Sequence, residues 1–278
     1  MWRDELIEPG PDLSKFELDH VSVSQLRTFL MCGYRWYFDN AAGEDRTNAP
    51  GWSARLRGTA LDKAATAHFD LKREDHRGLP MAQFVDLAVE THREGEDMTN
   101  FEMAEAESRD RTAKIAREYR SFFGELFQPW ADQAAQQKFK YQDDGLLLPV
   151  HGIIDLRTAD KVIVDNKVKA KKNLPKAGEL EADLQLTTYS MATGWTHVAL
   201  AVITDERDPQ AQYYETDRNP AQWAGIKERY NQMIRSIRAG ILHPAPEKSW
   251  YCCDKWCSHW SYCPHGGAMD APIPGMYE

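Results

Sequence analysis

The sequence predicts an α/β fold in which a mixed sheet is flanked by helices. Three observations carry this expectation: apolar residues recur at helical spacing up to about residue 130, short alternating runs separated by turn residues fill 137–168, and helix, strand, strand and helix follow in turn towards residue 240. The chain has 278 residues, 42% apolar and 28% charged, which is ordinary globular usage. At that length folding removes roughly 75% of the unfolded surface, so one domain over 1–278 is expected. Lys+Arg number 34 against 43 Asp+Glu, a net charge of −9, so any site for a polyanion must be locally basic. No run approaches the ~18 apolar residues of a membrane span, and Met1-Trp2-Arg3-Asp4-Glu5 lacks the apolar core of a signal peptide, which predicts a cytoplasmic protein with no membrane partner.

The elements follow in order. Ser22 and Gln25 fit a capping box, and Leu26, Phe29, Leu30, Gly33 and Tyr37 continue at helical spacing, which sets Cys32 on an early helix. A second helix runs from Arg57-Gly58-Thr59 through Leu61, Ala64, Ala65 and His68 towards Lys72. Acidic residues are dense from Glu74 to Asp110 and strand signals are absent, which predicts solvated helices. Together with a helix carrying Ile115, Tyr119, Phe122, Phe123 and Leu126, they make a helical insertion over 74–130. Strands at 137–142 and 146–150 flank Asp143-Asp144-Gly145, and strands at 152–158 and 161–168 flank Ala159-Asp160, a β-meander. Helix 182–193 and strands 197–204 and 210–215 come next, and a last helix opens on Asn219 and Pro220 and closes at Gly240.

The chemistry concentrates in Gly152-Ile153-Ile154-Asp155 and Val164-Asp165-Asn166-Lys167. With period two, Ile163, Asp165 and Lys167 share one strand face and Val162, Val164 and Val168 the other. A hairpin closing at Ala159-Asp160 brings Asp155 near the position opposite Asp165, where paired Cβ atoms stand roughly 5 Å apart. Two such carboxylates repel, and a divalent cation with hard oxygen ligands reverses that. Lys167 reaches the same edge, where an ammonium holds water or offsets charge developing on a phosphate. A salt-bridged surface hairpin accounts for these three residues equally well. Gln185 and Tyr189 lie four apart on one helix face, and Lys167, Lys169, Lys171, Lys172 and Lys176 form a local basic patch with no acid among them.

Taken in order, Ser22-Val23-Ser24-Gln25-Leu26 leading to Cys32, Arg57-Gly58-Thr59-Ala60-Leu61-Asp62, Gly152 to Asp155, Asp165-Asn166-Lys167, Gln185-Leu186-Thr187-Thr188-Tyr189 and the C-terminal cysteines resemble the RecB-like branch of the PD-(D/E)XK nuclease superfamily. The resemblance is to CRISPR-associated and bacteriophage single-strand DNA exonucleases, and it spans nearly the whole chain. It implies a restriction-endonuclease-like core acting on DNA, single-stranded by preference, with Mg²⁺ or Mn²⁺ held by Asp155, Asp165 and the backbone carbonyl of Asn166. Lys167 stands in the place of the catalytic lysine, and Gln185 and Tyr189 in that of the QxxxY motif. Asp62 occupies the position where the family carries a metal-binding histidine, and an aspartate there still ligates Mg²⁺ or Mn²⁺. His68, further along the same helix, is the other candidate for that ligand.

Cys252, Cys253, Cys257 and Cys263 fall within twelve residues, among Trp250, Tyr251, Trp256, Trp260 and Tyr262. In a reducing compartment such clustering points to a metal or iron–sulfur centre, and with Cys32 four thiolates suit either zinc or a 4Fe-4S cluster. On spacing alone Cys253 competes with Cys252, and His259 or His265 with a thiolate. The resemblance favours a 4Fe-4S cluster on Cys32, Cys252, Cys257 and Cys263, with 19–60 and 240–270 forming the cluster-binding part. It also leaves open a homo-oligomer or a recombination- or CRISPR-type protein partner. The competing readings are a nuclease fold retained as an inactive DNA-binding scaffold, and the same nuclease stapled by zinc.

Overall fold

The computed structural model describes residues 16–42, 51–100, 103–132, 135–246 and 248–267. The start of the chain, read above for targeting, and residues 43–50, 247 and 268–270 of the expected cluster-binding stretches lie outside the described residues. In chain order the elements are β1 (Val21–Ser22), α1 (Val23–Met31), α2 (Gly33–Asn40), β2 (Gly51–Trp52), α3 (Ser53–Asp75), α4 (Met81–Glu94), β3 (Thr99–Asn100), α5 (Glu105–Leu126), β4 (Ala135–Tyr141), β5 (Val150–Arg157), β6 (Ile163–Lys169), α6 (Leu184–Thr193), β7 (His197–Thr204), β8 (Ala211–Asp217) and α7 (Pro220–Arg238). The chain divides into two compact units, one of Met1–Ala49, Tyr141–His151 and Lys227–Glu278, the other of Pro50–Lys140 and Gly152–Ile226.

The second unit is a mixed sheet flanked by helices. β4 pairs with β5, β5 runs antiparallel to β6, β6 parallel to β7, and β7 antiparallel to β8. Alternation along the strands decides what each face meets. Leu156, Val164, Ala199, Ala201 and Ile203 point to one side, where Leu61, Ala64, Ala65 and Phe69 of α3, Phe84 and Ala88 of α4, and Ile115, Ala116 and Phe123 of α5 close over them. Ile154, Ile163, Val198, Leu200 and Val202 point to the other, against Leu186 and Tyr189 of α6. Each such fully buried leucine, isoleucine or phenylalanine contributes about 1.5–3 kcal/mol.

Two expectations change in this unit. The stretch 74–110 holds a strand after all, since Thr99–Asn100 pairs in parallel with Gly51–Trp52, and α4 is not merely solvated because Phe84 and Ala88 are fully buried. His68 is a core residue: it is fully buried beneath Phe69 and Phe84, its Nε2 lies 3.3 Å from the Gly124 carbonyl oxygen, and burial followed by the Arg120 and Lys72 charges depresses its pKa to about 4.

In the first unit the Ser22–Gln25 capping box is formed in both directions. Cys32 does not ride within a helix: it is the extended residue between α1 and α2, and its Sγ accepts the Arg35 backbone N–H at 3.4 Å. The helical periodicity continues through it, but the Gly33 N–H donates to the His243 carbonyl at 2.8 Å instead of continuing the α1 ladder. The expected strand at 146–150 is mostly loop, because Asn231 of α7 accepts the Leu147 N–H and donates to the Gly145 carbonyl, and these bonds replace a ladder.

A methyl group added at Gly33 would stand 2.8 Å from the His243 backbone nitrogen, whereas one at Gly58 of α3 meets nothing within 4 Å. Gly33→Ala is therefore expected to cost about 1–3 kcal/mol and Gly58→Ala to gain about 0.5–1 kcal/mol, opposite shifts of the urea midpoint.

Candidate active site

The site is built where β5 and β6 part. Leu156 faces Val164 in the antiparallel register, and the next step would set Asp155 opposite Asp165. There a side chain replaces the ladder bond: the Asn166 backbone N–H donates to Asp155 Oδ2 at 2.9 Å. β6 continues parallel to β7, so Asp165, Asn166 and Lys167 remain anchored against Leu200, Ala201 and Val202.

Asp165 is 1% exposed, and neither of its carboxylate oxygens has a well-formed hydrogen bond. Its nearest cation is the Lys167 ammonium, 2.6 Å from Oδ2. Lys167 Nζ also donates to Gln185 Oε1 at 3.4 Å, and Gln185 Nε2 donates to the Tyr189 hydroxyl at 2.7 Å. Asp165, Lys167, Gln185 and Tyr189 thus form one chain of polar contacts. Tyr189 is buried: it is 5% exposed and meets the edge of Phe139 with ring centroids 5.8 Å apart.

Asp62 approaches from α3. Burial, then the Asp165 charge, push its pKa up to about 6, against the opposing effects of Lys167 and a Gln136 hydrogen bond. Burial, then Asp165 and Asp62, hold the Asp155 pKa well above the ordinary carboxylate range, and burial raises that of Asp165 despite Lys167. Burial works against the Lys167 ammonium, but Asp165, Asp155 and Asp183 outweigh it and raise its pKa. Burial raises all three carboxylates and the Asp165 charge adds to it at Asp62 and Asp155; such a set, one member with unsatisfied buried oxygens, fits a hard divalent cation. They are not preassembled: among the described residues, no three His, Cys, Asp or Glu side chains stand in a ready-made ligand arrangement.

Three further residues of the site escaped the sequence reading. Gln136 of β4 donates to both oxygens of Asp62 at 3.0 Å. The Tyr119 hydroxyl donates to Asn166 Oδ1 at 2.8 Å, which ties α5 to the residue between acid and lysine. Asp183 caps α6, accepting the Gln185 and Leu186 N–H groups at 2.8 and 2.9 Å, and so fixes the start of the helix that carries Gln185. Only the last left a signal, an Asp directly before an apolar helical run.

Beyond β6 the lysine run turns through a short 3-10 turn at Lys171–Asn173, with Lys171, Lys172 and Lys176 exposed. Acids do approach it from elsewhere: Glu206 Oε1 accepts the Lys171 N–H at 2.9 Å.

The cysteines gather separately in the first unit. None of the five is in a disulfide, and Cys32 and Cys263 are buried. Burial, then Cys257, Cys32 and Cys253, raise the Cys252 pKa; burial, and after it Cys32, Cys257 and Cys252, raise that of Cys263. Thiols close enough to oppose one another's ionisation suit a cationic centre that binds them as thiolates. His259 is poorly placed as a zinc ligand, since its Nε2 meets Asp39 at 2.7 Å and its Nδ1 the Tyr262 hydroxyl.

The family model of the PD-(D/E)XK nuclease superfamily matches residues 20–264. The chain belongs to the PD-(D/E)XK nuclease superfamily. Among solved structures, a candidate exonuclease from Eubacterium rectale is similar at 16% identity and a TM-score of 0.51, over 86% of this chain and 87% of that one. An alkaline exonuclease from Laribacter hongkongensis aligns at 14% identity and a TM-score of 0.31, over 68% and 92%. No curated protein matches significantly in sequence. The first structure supports a shared fold. Among the described residues of this superfamily member, no helix is long and apolar enough to cross a membrane.

The raised Asp62 pKa makes a prediction for the metal-free protein. An acid raised in the folded state favours folding most below its ordinary value of 3.8, and that advantage is lost as pH rises through about 6. With EDTA present, Asp62→Asn is expected to stabilise by about 1–3 kcal/mol at pH 7.5 and by progressively less towards pH 5, as read by thermal melts across that range.

Proposed function

We propose that the protein is a metal-dependent DNA exonuclease of the RecB-like branch that hydrolyses phosphodiester bonds from single-stranded ends and carries a structural 4Fe-4S cluster. The observation that carries the nuclease reading is Asp165, a fully buried carboxylate with unsatisfied oxygens, beside Asp62 and Asp155 and in contact with Lys167. Asp62, Asp155, Asp165 and the Asn166 carbonyl would hold Mg²⁺ or Mn²⁺, which would supply Lewis-acid polarisation of the phosphodiester. Lys167 contributes a fixed positive charge where negative charge develops on the phosphoryl oxygens, or holds the attacking water. Gln185, braced by Tyr189 and by the Asp183 cap, aims that lysine. The exposed lysines from Lys171 to Lys176 supply counter-charge for the strand approaching the site. The preference for single-stranded ends rests on the motif resemblance, with the similar E. rectale protein described as a candidate exonuclease.

The cluster reading assigns Cys32, Cys252, Cys257 and Cys263 as ligands. Such a centre closes a long loop between Cys32 and the C-terminal thiols, so its binding energy is folding energy.

Two experiments test this. With end-labelled single- and double-stranded DNA, the single strand is expected to shorten from its end when Mn²⁺ is present and to persist in EDTA, and Lys167→Ala is expected to lower turnover by about 10²-fold or more. Cleavage in EDTA, or undiminished cleavage by Lys167→Ala, contradicts the mechanism. Anaerobically purified protein is expected to be brown with about four iron atoms per chain, and Cys257→Ala to lose them. One zinc and no iron would overturn the cluster while leaving the nuclease untouched.

A further inference from the structure

Gln136 is an unusual residue for its place. It sits in β4 with φ at +46°, the left-handed region that side chains other than glycine and asparagine rarely adopt. A strained backbone persists where the surroundings over-determine it. Here the surroundings include Asp62, on a helix 74 residues earlier, because Gln136 Nε2 stands 3.0 Å from Oδ1 and 3.0 Å from Oδ2 of that carboxylate.

Equidistant from the two oxygens and within hydrogen-bonding angle of both, the amide nitrogen lies on the open side of the carboxylate. That is the position a cation takes when both oxygens chelate it. With the amide there, each oxygen keeps only its outer lone pair for anything else.

We propose that Gln136 is a positioning residue that restricts Asp62 to one-oxygen ligation and thereby sets which divalent cation the site prefers. The inference rests on the proposed metal site. Its physical basis is the difference between hard cations: Mg²⁺ demands a compact octahedron and keeps several waters, whereas Ca²⁺ takes six to eight oxygens and accepts bidentate carboxylates. An Asp62 that offers a single oxygen keeps the coordination number low and disfavours Ca²⁺. Removing the amide frees the chelating face.

The test compares Mn²⁺ and Ca²⁺ affinities by calorimetry, without DNA, for the full chain and two variants. Gln136→Gly removes both the amide and the positive-φ penalty; Gln136→Asn tolerates the same backbone but is one methylene too short to span both oxygens. Both are expected to raise the ratio of Ca²⁺ to Mn²⁺ affinity by about tenfold or more relative to wild type. Repeating Gln136→Gly in an Asp62→Asn background, where no second carboxylate oxygen exists, is expected to abolish that shift. An unchanged ratio in both single variants, with Mn²⁺ still bound, overturns the role of Gln136 and spares the metal site. Failure of wild type to bind Mn²⁺ overturns the metal site itself. Should neither variant fold, the wild-type side-chain amide resonance of Gln136 decides: it stays in place on Ca²⁺ titration if the amide remains on Asp62, and moves if Ca²⁺ displaces it.

Discussion

A carboxylate removed from water beside like charges is among the least favourable groups a protein can bury, and Asp165 is such a group at the centre of the sheet, with the Lys167 ammonium 2.6 Å from its Oδ2. Its neighbours deepen the problem, since Asp183 adds like charge and Asp62 and Asp155 each feel the charge of Asp165, while Lys167 answers it. A fold tolerates that arrangement when something else compensates. The lysine does so in part, and a divalent cation would do so further.

The rest of the second unit serves this constraint. β7 is buried along nearly its whole length, and its parallel pairing holds β6 straight through Asp165, Asn166 and Lys167. On one face α3 and α5 bring Asp62 and Tyr119; on the other, α6 brings Gln185 and Tyr189. Asp183 and Arg218 secure the start of α6, with Arg218 donating to Thr187 Oγ1 at 2.9 Å and to the Leu180 carbonyl. Asp62, Asn166, Lys167 and Gln185 are each contacted by a further polar side chain, namely Gln136, Tyr119, Gln185 and Tyr189, which is the usual way a protein holds a site's geometry fixed.

Much of this was legible in the sequence because it is local. Period-two alternation and a turn at Ala159-Asp160 were enough to juxtapose Asp155 and Asp165, and a four-residue helical spacing placed Gln185 with Tyr189. What the sequence could not convey depends on distant pairing. Gln136 and Asp62, or Tyr119 and Asn166, meet only after the sheet and helices assemble, and no spacing rule links them. The same cause explains the errors. Cys32 lies in an unbroken helical pattern that a tertiary bond between Gly33 and His243 interrupts, and Leu146 and Leu147 read as strand until Asn231 takes the backbone bonds of that segment. His68 looked available for a metal because periodicity cannot distinguish a buried helix face from one lining a site.

The proposed chemistry requires a cation among the three carboxylates. Anomalous diffraction from crystals grown with Mn²⁺ measures this directly. The expected result is a manganese peak about 2–2.3 Å from oxygens of Asp155 and Asp165, with Asp62 contributing one oxygen and the Lys167 ammonium drawn off Asp165. A structure in which Mn²⁺ binds elsewhere, or not at all, while Lys167 still neutralises Asp165 would contradict it.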